Sequence, residues 1–228
     1  MAKSPWIVGA LAAGVLSASA LADGPRAKAP RVEAALAELK AEAADLRVVW
    51  PSDRITPSLV AGISAIVAGE DAPAKAQAFL ARFPALVAVP AAHLKLADVS
   101  TSGARSTVRY QQIFEGKAIE GRALSVTLEG DRVISVLNDT APLSTVDRAT
   151  IDGERARTLA VEAVYGAAAG APSVEVATTA VPGIAAIGGR GVEIFKVFVF
   201  RKALVEHLEV TVDAHLGRVI GVADKTIR

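Results

Sequence analysis

Apolar residues near the start of the chain recur at helical spacing. Val32, Leu36, Leu39, Ala43 and Leu46 form one stripe, which predicts an amphipathic helix. The pattern lasts about two heptads, too short for a coiled coil. Val48-Val49-Trp50 reads as a short strand stopped by Pro51, and the Val and Ile content of Ser58–Val67 favours another. A second helix is predicted over Pro73–Arg82. Asp71 can cap it, Ala76, Phe79, Leu80 and Phe83 make its buried face, and Pro84 ends it.

The period then changes from helical to alternating. Leu94–Val99, Thr107–Phe114, Lys117–Leu128 and Arg132–Asn138 read as strands, with Glu115-Gly116 and Glu129-Gly130-Asp131 as turns between them. Val126 and Leu128 alternate with Thr127 and Glu129, which predicts one buried and one wet face. Beyond Pro142 the order repeats. Asp152 can cap a helix at Gly153–Tyr165, whose stripe is Ala156, Leu159, Ala160, Ala163 and Val164. Gly166–Pro172 reads as a break, Val174–Val181 as a strand and Pro182–Gly191 as a Gly-rich loop. Val192–Arg201, Val205–Asp213 and Arg218–Val222 read as three more strands. The pattern predicts an α+β fold of two small units, each a helix on an antiparallel sheet. Their expected extents are 47–142 and 143–228, after a lead and helix at 23–46.

The extreme N-terminus carries a different signal. Lys3, the apolar stretch Trp6–Leu16, the small residues Ser17–Ala22 and the triplet Ala20-Leu21-Ala22 predict an export signal peptide over 1–22, cleaved after Ala22. Trp6–Ala22 is short for a membrane anchor, which needs about 20 apolar residues. The expected location is the periplasm or the medium, with no membrane attachment after cleavage.

Composition narrows the chemistry. The absence of Cys excludes disulfide scaffolds, Cys-bound zinc, iron–sulfur clusters, thiol nucleophiles and lipid attachment at the signal. Lys+Arg 25 against Asp+Glu 24 leaves no electrostatic footprint for nucleic acid, and 52% hydrophobic residues argue against disorder. The three histidines, His93, His207 and His215, do not form the H-E-x-x-H pair of a zinc peptidase. Gly183–Arg190 lacks the Lys and the Ser or Thr of a phosphate loop, and no G-x-S-x-G elbow occurs. Glu115, Glu120 and Glu129 lie in or beside turns, where carboxylates are expected to be solvated and to guard sheet edges. The expectation is therefore a non-enzyme with no catalytic residue, metal site or cofactor.

The stretch Val108–Gly121 nevertheless carries a pattern. Arg109, Tyr110, Gln111, Gln112, Phe114, Gly116 and Gly121 resemble, position by position, the fungalysin/thermolysin propeptide (FTP) domain. Leu124–Val136 is similar to the next hairpin of that family, and Arg47–Trp50 and the helix ending at Phe83 to its upstream elements. The second half resembles the PepSY module that usually follows, in the helix Glu154–Tyr165 and the hairpin Val212–Ile220 with Asp213 and Gly217 at its turn. The resemblance implies a hairpin meander followed by a cystatin-like helix on a sheet. It also implies mainly core and turn roles for these residues, with Tyr110 and Phe114 on one strand face and Arg109 and Gln111 on the other.

In secreted thermolysin-like and fungalysin-like zinc peptidases these modules precede the catalytic domain, help it fold and hold it inactive. This sequence stops at Arg228 with no such domain. The resemblance thus implies an exported, propeptide-like protein that binds a zinc metallopeptidase as inhibitor, folding chaperone or both. Its tail, Asp224, Lys225, Thr226, Ile227 and Arg228, is the expected segment for an active-site cleft. The alternatives are a truncated or separately encoded pro-region, and a PepSY-type envelope module that binds peptides by strand addition.

Overall fold

The structure, a computed structural model, describes residues 29–43, 45–52, 54–166, 179–187, 189–201 and 206–226. The signal peptide expected at 1–22 lies outside them. The first helix, α1 (Pro30–Glu42), buries Val32, Ala35 and Leu39. Strands β1 (Arg47–Val49) and β2 (Leu59–Ile66) precede α2 (Ala72–Arg82), whose first turn is capped by the Asp71 carboxylate accepting from the Ala74 N–H at 2.8 Å. Four longer strands follow as hairpins: β3 (Leu94–Ser102), β4 (Arg105–Phe114), β5 (Lys117–Glu129) and β6 (Arg132–Asn138). They pair in the order β1-β2-β6-β5-β4-β3, antiparallel throughout.

The alternation of these strands decides which face is covered. Val99, Val108, Val126, Val136, Val60 and Val48 stand side by side across six strands. All of this row but the exposed Val99 packs beneath α1 and α2, where Phe79, Phe83, Leu39, Leu86 and Leu124 fill the first core. One residue along each strand, the side chains point to the opposite face, which no helix covers.

The second unit is built on the same plan with one helix. After β7 (Val146–Asp147), α3 (Gly153–Tyr165) is capped by Asp152, which accepts from the Arg155 N–H at 2.8 Å. It buries Ala156 and Ala160 on Val197, Val199, Val210 and Val212, with Leu159, Val164 and Tyr165 at the margin. Ala163, expected in this stripe, is exposed, and Tyr165 takes its place with its hydroxyl donating to the Phe200 carbonyl at 3.0 Å. The sheet is β8 (Val181–Ile187), β9 (Arg190–Arg201), β10 (Glu206–Asp213) and β11 (Arg218–Asp224), all antiparallel, with β7 lying parallel beside β9.

The Gly-rich loop expected at Pro182–Gly191 is mostly strand, and this is the main correction. Residues 181–187 form β8, and β9 has begun at Arg190. The glycines serve close packing. A Cβ on Gly191 would lie 2.9 Å from Val146 and 3.1 Å from Ile184 and Leu143, and Gly183 sits against Ile194 and the Ala118 carbonyl. Of the strand expected at 174–181, residues 174–178 lie outside the described residues and Val181 opens β8.

One strand serves both sheets. Along β4 and β5, Gln111 pairs with Ala123 but Ile113 pairs with Ala118, so Gln112 alone stands opposite Ile119–Arg122. In that bulge β5 turns away from β4, and Ile119 pairs in parallel with Ile184 of β8. Both isoleucines are fully buried. The fold is thus α+β, with the two helix-on-sheet units joined through β5.

Candidate functional site

The block at Arg109–Gly121 is mostly framework. Tyr110 is buried under α2, its hydroxyl 3.4 Å from the Pro73 carbonyl, and burial together with the nearby Asp71 charge raises its pKa. Gln111 fills the bulge. Its two amide protons are shared among the carbonyls of Ile119 at 2.7 Å, Arg122 at 2.9 Å and Gln112 at 3.1 Å. Gln112 is buried and clamps one residue of the linker from both sides: it donates to the Ala141 carbonyl at 2.8 Å and accepts from the Ala141 N–H at 3.1 Å. Phe114 is half-buried, edge-on to His93 at 6.3 Å. Glu115 and Gly116 both have positive φ, 49° and 79°, as a tight two-residue hairpin turn requires, and Gly121 lies within the bulge.

Sequence reasoning missed a second clamp. Asn138 is buried and uses all its polar atoms, donating to Leu86 at 3.0 Å and Pro57 at 3.3 Å and accepting from the N–H and hydroxyl of Thr140. It also missed the ionic joint between the units. Glu193 of β9 is buried, and its carboxylate takes Lys117 at 2.7 Å, Arg148 at 3.1 Å and the Ala149 N–H at 2.8 Å. Burial alone would raise its pKa, yet Lys117, the Ala149 N–H and Arg148 outweigh that and bring it down to about 2. Arg148 also grips Glu115 with two bonds of 2.7 and 2.8 Å, which lowers the Glu115 pKa and raises that of Arg148. The signal was legible in one respect: Glu193 interrupts the apolar run Val192–Phe195.

The three turn carboxylates are each paired with a cation. Besides Glu115, Glu120 meets Lys196 at 2.6 Å and Glu129 meets Arg105 at 3.3 Å. The histidines are dispersed: His93 beside Phe114, His207 against Phe200, and His215 with Nδ1 2.9 Å from the Arg148 carbonyl. Among the described residues, no group of three His, Asp or Glu could hold a metal ion.

At the β10–β11 turn, buried Asp213 accepts from the N–H groups of His215 and Leu216 at 2.9 and 2.8 Å, and its carbonyl from Gly217 at 2.9 Å. The tail leaves β11 tied to its neighbour. Lys225 donates to the His207 carbonyl at 2.7 Å, and the Thr226 hydroxyl accepts from the His207 N–H at 3.0 Å. Asp224 in turn accepts from the Thr226 N–H at 2.8 Å, while Ile227 and Arg228 lie outside the described residues.

Arg109 stands apart from the other residues of its block. It is exposed on the uncovered face of the first sheet, and its side chain makes no ion pair or hydrogen bond among the described residues. Across the strands its row reads Asp98, Arg109, Ser125, Leu137, Leu59 and Val49. The next row reads Ser100, Thr107, Thr127, Ser135, Ala61 and Arg47. A shallow cleft of about 420 Å³ lies over this surface, between Asp98, Arg109, Ser125, Leu137 and Asp139. Leu137 and Val49 are 49% and 50% exposed, so the face grades from charged at β3 and β4, through small hydroxyls, to apolar at β6 and β1.

No protein-family model matches this chain, and no curated protein gives a significant match. Among solved structures, the Bacillus megaterium YpeB C-terminal domain is similar at 15% identity and a TM-score of 0.37, over 74% of this chain and 71% of that one. A likeness that loose says nothing about function. Among the described residues no helix is long and apolar enough to cross a membrane.

Proposed function

We propose that this protein is a non-catalytic binding module whose partner is another protein, docked on the uncovered face of the first sheet. The observation that carries the reading is that face itself. Its six strands are anchored by Gln112 on β4 and Asn138 on β6, and they present exposed Leu137 and Val49 together with an arginine that has no partner among the described residues. Apolar side chains beside a fixed cation on a rigid support suit a folded partner.

The partner we propose is a zinc metallopeptidase of the thermolysin or fungalysin class, inhibited or assisted in folding, and the protein is exported to meet it. The FTP-like block at Arg109–Gly121 supports this choice, since most of its residues build the frame behind the face. Binding a native-like surface stabilises that surface by mass action, which is how such a module promotes folding. Because 224–226 are bound to β10, the partner would meet the tail as the outer end of β11.

The test uses the purified protein as immobilised bait for secreted and envelope fractions of the host. Bound material is assayed for chelator-sensitive proteolysis before and after the bait is degraded. The reading expects a latent, chelator-sensitive activity that appears on degradation. Folded bait that retains no such activity would refute the peptidase as partner.

A further inference from the structure

The chemistry of the uncovered face narrows what it can hold, given the reading of that face as a docking surface. On it Arg109, Arg47 and Lys95 outnumber Asp98, while Arg54 and Asp139 pair at 3.4 Å and cancel. Strands are spaced by about 4.8 Å, so Arg109 on β4 and Leu137 on β6 stand about 10 Å apart, with Leu59 and Val49 one and two strands further on. An extended segment advances roughly 3.3 Å per residue and turns every second side chain to one face, so the residue four on from the acid lies between Leu137 and Leu59 and the residue six on reaches Val49. Ser125 and Ala123 between the two anchors are small, which lets a backbone come close.

We infer that the face takes an extended protein segment crossing the strands, with a carboxylate on Arg109 and apolar side chains on Leu137 and its neighbours. Asp98 beside Arg109 sets the polarity, because it repels a segment that brings the acid in one strand too far. The recognised pattern is an acidic residue with apolar residues four and six positions later, all on one face of the extended segment. The free edges of β1, only three residues long, and of β3 and β11 are the competing places for a peptide. The longer two, β3 and β11, carry irregularities at Leu96/Asp98 and opposite Thr211/Val212 that interrupt the straight ladder strand addition needs.

The probe is a blocked heptapeptide with Glu first, Leu fifth and Val last, and Ser or Gly between. A second version carries Lys for Glu, and a third has Ser for both apolar residues. Each is titrated to millimolar concentration into the isotope-labelled full chain, and amide, Arg109 Nε and leucine methyl signals are followed. The expected result is saturable shifts at Arg109, Ser125 and Leu137 with the Glu peptide, about ten-fold weaker with either control. Arg109→Glu is expected to reverse the preference toward the Lys peptide, while Arg105→Glu, at a side chain that pairs with Glu129, leaves it unchanged. Equal response to Glu and Lys peptides, no response, or shifts confined to β3 or β11 edges would each overturn the inference. These outcomes leave the peptidase reading standing, since that rests on bait capture. Failure of capture with the selectivity intact would remove the peptidase and keep the face.

Discussion

The two units follow one plan and differ in how much they bury. Beneath α1 and α2 the first core includes Phe79, Phe83, Leu39, Leu86, Leu124 and the valines Val60, Val108, Val126 and Val136. The buried cluster beneath α3 consists of two alanines and four valines among the described residues. Burial stabilises in proportion to apolar area, so the first unit can stand largely on its own core while the second leans on its neighbour. That support takes two forms: the Ile119–Ile184 contact in β5 and β8, and the Glu193 joint with Lys117 and Arg148. The joint therefore belongs to the second unit's stability, and the first unit's uncovered face is left for other use.

The strongest way to break this contrast is Phe79→Ala, which empties the centre of the larger core. It should cost about 3–5 kcal/mol. In urea unfolding the second unit should be lost along with the first, because its support goes with it. If β9–β11 keep their amide protection while the first unit unfolds, the second does not depend on its neighbour.

A smaller effect is expected at the joint. Glu193→Ala leaves Lys117 and Arg148 without their shared carboxylate and should cost about 2–4 kcal/mol. The loss should concentrate in α3 and β8–β11, read by residue-resolved hydrogen exchange. Uniform loss over both units would mean that the joint is not specific to the second.

Acid sharpens the same point. Glu193 has a folded pKa of about 2, below the ordinary glutamate value, so its contribution is fully present above that ordinary value. It is lost as pH falls from about 4.5 toward 2, and amounts to roughly 2–3 kcal/mol. The second unit should therefore loosen first on acidification, and Glu193→Gln should remove that part of the pH dependence. An acid transition that is unchanged in Glu193→Gln would contradict the assignment.

The smallest effect tests the neutral clamps. Gln112→Leu keeps the volume but strands the half-buried N–H and carbonyl of Ala141, at about 1–3 kcal/mol. Its thermal midpoint should fall with little change in the acid transition, which separates hydrogen-bonded framework from ionic joint.

Local elements were legible from the sequence because local chemistry sets them. Asp71 and Asp152 announce helix starts, Glu115-Gly116 announces a tight turn, and Val126-Thr127-Leu128 announces a two-faced strand. The region after Val181 misled for a physical reason. Its glycines suggest a loop, whereas the backbone there is strand and the missing Cβ atoms make room for Val146 and Leu143. Long-range polar contacts were not legible. Nothing near Asn138 in sequence indicates Leu86, and nothing near Glu193 indicates Lys117. Arg109 was visible as a motif residue, but its separation from the framework residues around it required the register of six strands.

The most direct measurement titrates the protein and its Arg109→Glu variant against the same thermolysin-class zinc peptidase, following chelator-sensitive activity. The account predicts that the wild-type protein suppresses the activity, while the variant, equally stable to urea, needs about ten-fold more for the same effect. Equal suppression by both would contradict docking on the uncovered face, and no suppression or folding assistance by either would contradict the peptidase as partner.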